Sequence, residues 1–407
     1  MENTITVIDE TIREGMQYRG IVFSQQQRED IIDFQEQLGV DISQAGYAPA
    51  HITEQINIKY LNQIVRQKGY DIKIAAMGRA SIRDAKSLVQ TGVSDFHLHA
   101  HIQDKSDKSK IEESLQKIKY AVDEIRKEFK KADNLNSNVS PTISIAVLDI
   151  GTSFFEQLET VASFLVNELN IDILSLPDTS GIMSPDSFYD AIREIALSEK
   201  VGLNLNMESD SDNFTSSISR IKNGNLKKKS QLSVHCHNDL GMASANTLMG
   251  VKAGAAFVEL SVLGIGERNG IGDIFTVSKM LKAKGYNIRV DTDNVELFKK
   301  YYRYVSDICK SQTGEALLNY NTPFFGDGVK THVAGTHAQS GFGLFDKEEY
   351  YINVLCGKQL VRNYLESRQI PFLPEQLSQI TEQIKLKSAQ LNRRLEQADI
   401  ADIVSKI

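Results

Sequence analysis

The feature that most narrows what this chain can fold into is a rhythm. Short runs rich in β-branched residues recur eight times, at 4–9, 40–47, 71–79, 95–102, 142–149, 172–179, 231–239 and 257–266, and a stretch with helical periodicity follows each. The stretch from Ser24 is typical: Ile31, Ile32, Phe34 and Leu38 form one apolar stripe. Strands that alternate with helices must run parallel, because each helix carries the chain back to the start of the next strand. Eight such units within residues 1–288 predict an α/β fold, a closed (β/α)8 TIM barrel. An open doubly wound sheet is the alternative. No Gly-x-Gly-x-x-Gly follows the first run, so nothing favours a dinucleotide-binding sheet.

The rhythm breaks twice. Residues 199–230 are polar, rich in Ser and Asn, and close on a lysine run, which predicts a solvated insertion between the sixth helix and the seventh strand. Past about residue 288 the strand signal ends, and residues 289–407 read as small, mainly helical C-terminal subdomains. A net charge of −7 argues against a nucleic-acid surface. Three cysteines without a Cys-x-x-Cys pair suit a reducing compartment. The start, MENTITVIDETIREG, is too acidic for a signal peptide, and no apolar run reaches the ~20 residues of a membrane span. The expectation is a cytoplasmic protein with no membrane contact.

In such a barrel, reacting groups collect at the C-terminal ends of the strands. The first strand end carries Asp9, Arg13, Glu14 and Gln17, and the third carries Arg79. The fourth carries His97, His99 and His101, and the sixth carries Asp178 and Thr179. The seventh reads HCHNDLG from His235, and the eighth reads GIGERNG, with Glu267 and Arg268. Residues i and i+2 of a strand share a face, so His235 and His237 project together and Cys236 does not. Two imidazoles with a carboxylate on a nearby strand end, Asp9, suit a divalent metal such as Mg2+, Mn2+ or Zn2+ with coordination positions left for substrate. In the second set, His97, His99 and His101, one or two are read as contacting substrate rather than a second metal.

Together DETIREGMQ, LGVDISQAG, PDTSG, HCHNDLGMASAN, GIGERNG and HVAGTHA resemble the isopropylmalate synthase and homocitrate synthase family, part of the DRE-TIM metallolyase superfamily. The resemblance runs from the first strand to about residue 365. It implies a TIM barrel with helical subdomains and a Claisen condensation of acetyl-CoA with a 2-oxo acid, giving a 2-hydroxy di- or tricarboxylic acid and CoA. By motif, Asp9, His235 and His237 would hold the metal. Arg13 would polarise the ketone, and Glu14 would support the metal site. Gln17, Arg79, His97, His99 and Thr179 would face the substrate, with Glu267 and Arg268 shaping the last strand end. His337 would reach the partner's active site in a homodimer and do acid–base work on acetyl-CoA.

Several positions depart from the family pattern. Gln44 stands where a glutamate is usual, Leu148 replaces an acid in LDIGT, Ile271 follows GERNG, and Arg79-Ala80-Ser81 replaces Arg-Cys-His. These bear on which oxo acid is accepted. The alternatives are a citramalate, Re-type citrate or specialised-metabolite synthase, a hydroxymethylglutaryl-CoA-lyase-like enzyme, and a catalytically degenerate metabolite-binding barrel. No cysteine stands in GIGERNG, which weighs against the lyase. The stretch after Tyr364 is short and reads as helix, so no regulatory domain is expected within it.

Overall fold

The computed structural model describes residues 4–102, 107–132, 140–203, 230–332 and 349–407. Most of the 199–230 segment and His337 lie outside the described residues. The chain forms two compact units, Met1–Leu317 and Leu318–Ile407.

The first unit is a closed barrel of eight parallel strands in chain order: β1 (Thr6–Asp9), β2 (Ile42–Tyr47), β3 (Lys73–Arg79), β4 (Asp95–Ala100), β5 (Thr142–Val147), β6 (Ile173–Asp178), β7 (Gln231–Cys236) and β8 (Phe257–Leu260). β1 closes on β8 with Ile8 opposite Glu259 and Asp9 opposite Leu260. Ile8, Ile42 and Ala75 pack with Phe257 in one cluster from four neighbouring strands, which sets the inward parity of each. The eight-unit barrel read from the sequence is the fold observed.

Local signals start the outer helices. Ser24 and Gln27 form a reciprocal capping box on the helix Gln25–Gln37, and Ile31 and Ile32 are its buried stripe. Ser81 accepts from the Asp84 N–H to cap the helix Ile82–Gln90. The helix Val295–Thr313 belongs to the same unit, beyond the boundary at 288 drawn from the sequence. Its Tyr301 ring stacks on Phe34 at 5.2 Å, and its Tyr302 hydroxyl donates to Asp273 at 2.5 Å. The strand rhythm stops before this helix, but the apolar packing does not.

The second unit has its own core of Ile352, Leu360, Val361, Leu365, Ile380 and Ile384, closed by Ile400 and Ile403. Its helices are Lys358–Ser367, Leu377–Leu391 and Gln397–Ser405. Among the described residues, no helix is long and apolar enough to cross a membrane.

Candidate active site

Strand parity decides which side chains of β1 reach the barrel mouth. Ile8 points inward, so Asp9 points out and Glu10 in. The Asp9 carboxylate accepts from the Thr11 N–H at 2.7 Å and from the Tyr301 hydroxyl at 3.1 Å. Burial pushes its pKa up to about 6, against the lowering effect of those hydrogen bonds. Asp9 therefore does not join the histidines, contrary to the reading of it as a metal ligand. The short helix Thr11–Gly15 carries Arg13 and Glu14 into the mouth instead.

Arg13 is buried among acceptors. Its Nη2 donates to Glu10 at 2.6 Å, its Nη1 to Gln17 at 2.9 Å and to Glu14, and its Nε to Gln44 at 2.5 Å. Glu14 also accepts from the Glu267 N–H at 2.9 Å. That contact needs Gly266, because a Cβ there would lie 2.7 Å from Glu14 Cγ and 2.9 Å from its Oε1. Burial would raise the Glu14 pKa, but Arg13 and the two histidines hold it below its ordinary value.

The Nε2 atoms of His235 and His237 face each other at 3.3 Å. His235 Nδ1 lies 3.1 Å from Glu10 and 3.2 Å from Glu259, within ion-pair reach although neither contact is aligned as a hydrogen bond. Glu259 is itself held by the Ser175 and Ser233 hydroxyls, each at 2.7 Å. Burial alone would lower the His235 pKa; Glu10 and Glu259 raise it to about 10. Burial and the neighbouring His235 push His237 down to about 3.

These groups fit a divalent cation. One carboxylate oxygen each from Glu10 and Glu14 and one His235 nitrogen lie within 4.8 Å of one another. Glu10, Glu14 and Glu259 set three buried carboxylates against the guanidinium of Arg13; with His235 neutral, as a metal ligand must be, two negative charges are left for a cation to balance. Glu10 Oε1 and His237 Nδ1 have no hydrogen-bond partner. Glu10, Glu14 and His235 are the groups this geometry brings together, and His237 faces them only through its Nε2, 3.3 Å from that of His235.

Beside this cluster opens a cavity of about 1050 Å3, lined largely by apolar side chains including Met16, Met77, Ile118 and Leu148. Arg13, Gln17, Arg79 and His99 also line it. Burial, with Arg13 and His235 nearby, pushes His99 down to about 3, so it meets a ligand as a neutral ring. Arg79 is turned onto Asp84, with Nε at 2.9 Å. His97 lies deeper, bonded to Gln44 at 2.8 Å, and is not among the residues lining the cavity. Thr179 and Arg268 join loops: the Thr179 hydroxyl accepts from the Asp149 N–H at 2.8 Å, and its carbonyl accepts from Arg268 at 2.6 Å. Arg268 also pairs with Asp239 at 2.9 Å, while the Glu267 side chain is exposed. Sequence reasoning missed Glu10, Asp95 and Glu259; an isolated acid at an inward position of an apolar strand was the available signal for Glu259.

The model of the HMGL-like family matches residues 4–208 and 205–300. A homocitrate synthase of Pyrococcus abyssi is 28% identical over 376 residues, covering 88% of this chain and 89% of that one. A 2-isopropylmalate synthase of Sulfurisphaera tokodaii is 28% identical over 338 residues, covering 82% of this chain and 74% of that one. Among solved structures, a hydroxymethylglutaryl-CoA lyase from Pseudomonas aeruginosa superposes with a TM-score of 0.55 at 15% identity, over 76% of this chain and 94% of that one. At that identity the likeness speaks for the fold alone.

Proposed function

The chain belongs to the HMGL-like family, and on that premise we propose that it is an acyltransferase that condenses acetyl-CoA with a 2-oxo acid. The observation that carries this reading is a buried cluster of Arg13, Glu14, His235 and His237 beside a cavity large enough for a small acid and part of an acyl-CoA.

In the reaction the acetyl methyl gives up a proton, and the resulting enolate carbon bonds to the ketone carbon of the oxo acid. The ketone oxygen takes the electron pair as an alkoxide and then a proton. Water cleaves the thioester and CoA leaves as its thiol. A divalent cation held among Glu10, Glu14, His235 and His237 would polarise the ketone as a Lewis acid. Arg13 meets the developing alkoxide with a charge fixed by four partners, so little reorganisation accompanies the step. Removing one such preorganised donor costs roughly 10²–10³ in turnover. Neutral His99 offers the substrate a hydrogen bond rather than a charge. Gln17 is held on Arg13 at the edge of the cavity. By the family resemblance that HVAGTHA carries, His337 of a partner copy would be the group that moves the proton on acetyl-CoA.

The test is CoA release from acetyl-CoA, followed with a thiol reagent, across 2-oxoglutarate, 2-oxoisovalerate, pyruvate, oxaloacetate and glyoxylate. Each is run with Mg2+, Mn2+, Zn2+ or a chelator. Release that needs both a metal and one oxo acid is expected. A folded, metal-loaded protein that stays silent across the panel would sink the reading.

A further inference from the structure

Beneath Arg13 lies a chain of buried polar groups that the reaction as derived does not use. Gln44 on β2 is 2% exposed; Asp95 and His97 on β4 are each 5% exposed. Arg13 Nε can only donate, so the oxygen of the Gln44 amide must face it, at 2.5 Å. The amide nitrogen is thereby turned to His97 Nδ1, at 2.8 Å. That nitrogen can only donate as well, so Nδ1 must present its lone pair. The ring proton is then on Nε2, which lies 3.4 Å from Asp95 Oδ1, within ion-pair reach although not aligned as a hydrogen bond. Arg13 thus leaves Gln44 one orientation, and Gln44 leaves His97 one tautomer.

The geometry points to Asp95, His97 and Gln44 as a positioning relay that fixes the plane of the Arg13 guanidinium and holds His97 as the neutral Nε2–H tautomer. Burial would lower the His97 pKa, and Asp95 with the nearby glutamates carries it above its ordinary value; against that, an imidazolium would set Nδ1–H against the Gln44 amide hydrogens. Donor facing donor in a buried site opposes that charge. Gln44 also explains itself here. A glutamate at this position could not donate to His97, and it would add a fourth carboxylate to a cluster that already holds Glu10, Glu14 and Glu259. The amide keeps Arg13 oriented without neutralising it further. The role given to Arg13 rests on the proposed condensation; the orientation of the relay does not.

The full-length protein labelled with 15N-histidine would be followed by NMR, alongside kinetics of His97→Leu, His97→Gln, Asp95→Asn and Gln44→Glu. In the wild type, His97 should carry its proton on Nε2 only. In Gln44→Glu, Nδ1 should become protonated, since the carboxylate can only accept. His97→Leu leaves the amide hydrogens without an acceptor, and kcat should fall roughly 10- to 100-fold at unchanged KM for acetyl-CoA. His97→Gln, whose carbonyl can accept, should recover much of that loss. A wild-type His97 protonated on Nδ1 would overturn the proposal. So would a folded His97→Leu protein with unchanged kcat. Asp95→Asn preserves volume and gives the second kinetic reading if the leucine variant misfolds. If no oxo acid supports turnover, the condensation fails and the tautomer still decides the relay.

Discussion

Replacing Asp9 by asparagine separates its observed role from that of a metal ligand. The folded-state pKa of Asp9 is raised from 3.8 to about 6, which corresponds to about 3 kcal/mol between its protonated and ionised forms. The folded protein binds this proton more tightly than the unfolded chain does. The stability it contributes is therefore fully present below pH ~4 and is lost as pH rises through about 6. Asparagine does not ionise, so that loss disappears. The amide oxygen keeps the Thr11 N–H, and the new amide nitrogen can donate to the Tyr301 oxygen. The displaced hydroxyl proton has an acceptor in Gln35 Oε1, which is unpaired, once the Gln35 amide turns over. Urea unfolding of Asp9→Asn and wild type between pH 4 and 8 should show the variant gaining on the wild type by up to about 3 kcal/mol across the interval. Metal affinity by calorimetry should be unchanged in Asp9→Asn and lost in Glu14→Gln. Parallel stability curves would refute the burial argument. Loss of metal in Asp9→Asn with retention in Glu14→Gln would refute the parity assignment.

The cluster makes further demands that can be checked. His235→Ala should abolish both divalent-cation binding and turnover while circular dichroism stays that of the folded barrel, because it removes a convergent nitrogen and not a packing residue. Gly266→Ala should push the Glu14 carboxylate aside and weaken metal affinity roughly 10- to 100-fold, read by equilibrium dialysis, since its Cβ would sit 2.7 Å from Glu14 Cγ. A chelator should lower the melting temperature and added Mg2+, Mn2+ or Zn2+ should restore it; saturation at 100 times Kd is worth about 2.7 kcal/mol. A melting temperature indifferent to both would mean that the buried carboxylates are balanced without a cation.

The barrel was legible because period-2 and period-3.6 patterns alternate cleanly eight times; six of the eight strands end within two residues of where the pattern puts them, while β7 and β8 stop three and six residues earlier. The pair His235 and His237 was legible for the same reason: i and i+2 share a face. The error at Asp9 came from reading β1 by residue type instead of by that rule. Counted from Ile8, the inward acid is Glu10, and Glu14 comes from the helix that follows, where strand parity says nothing. Glu259 hides between Val258 and Leu260 and gains meaning only when β8 closes against β7 and puts it beside His235. The relay under Arg13 depends on contacts between the helix Thr11–Gly15, β2 and β4, over separations of up to 53 residues in sequence, which no local pattern encodes. His97 and His99 are indistinguishable by spacing, yet one lines the cavity and the other sits below it.

The helix Val295–Thr313 lends its Tyr301 hydroxyl to Asp9 and its Tyr302 hydroxyl to Asp273, at the two seams where β1 and β8 meet the loops of the mouth. For protein engineering this redraws the transplantable piece. A fragment cut after the last barrel helix would strip two buried acids of their tyrosine partners and bare the face of Phe34 and Phe275. A shuffled chimera should take its crossover near residue 317, with the helix carried along as part of the cassette.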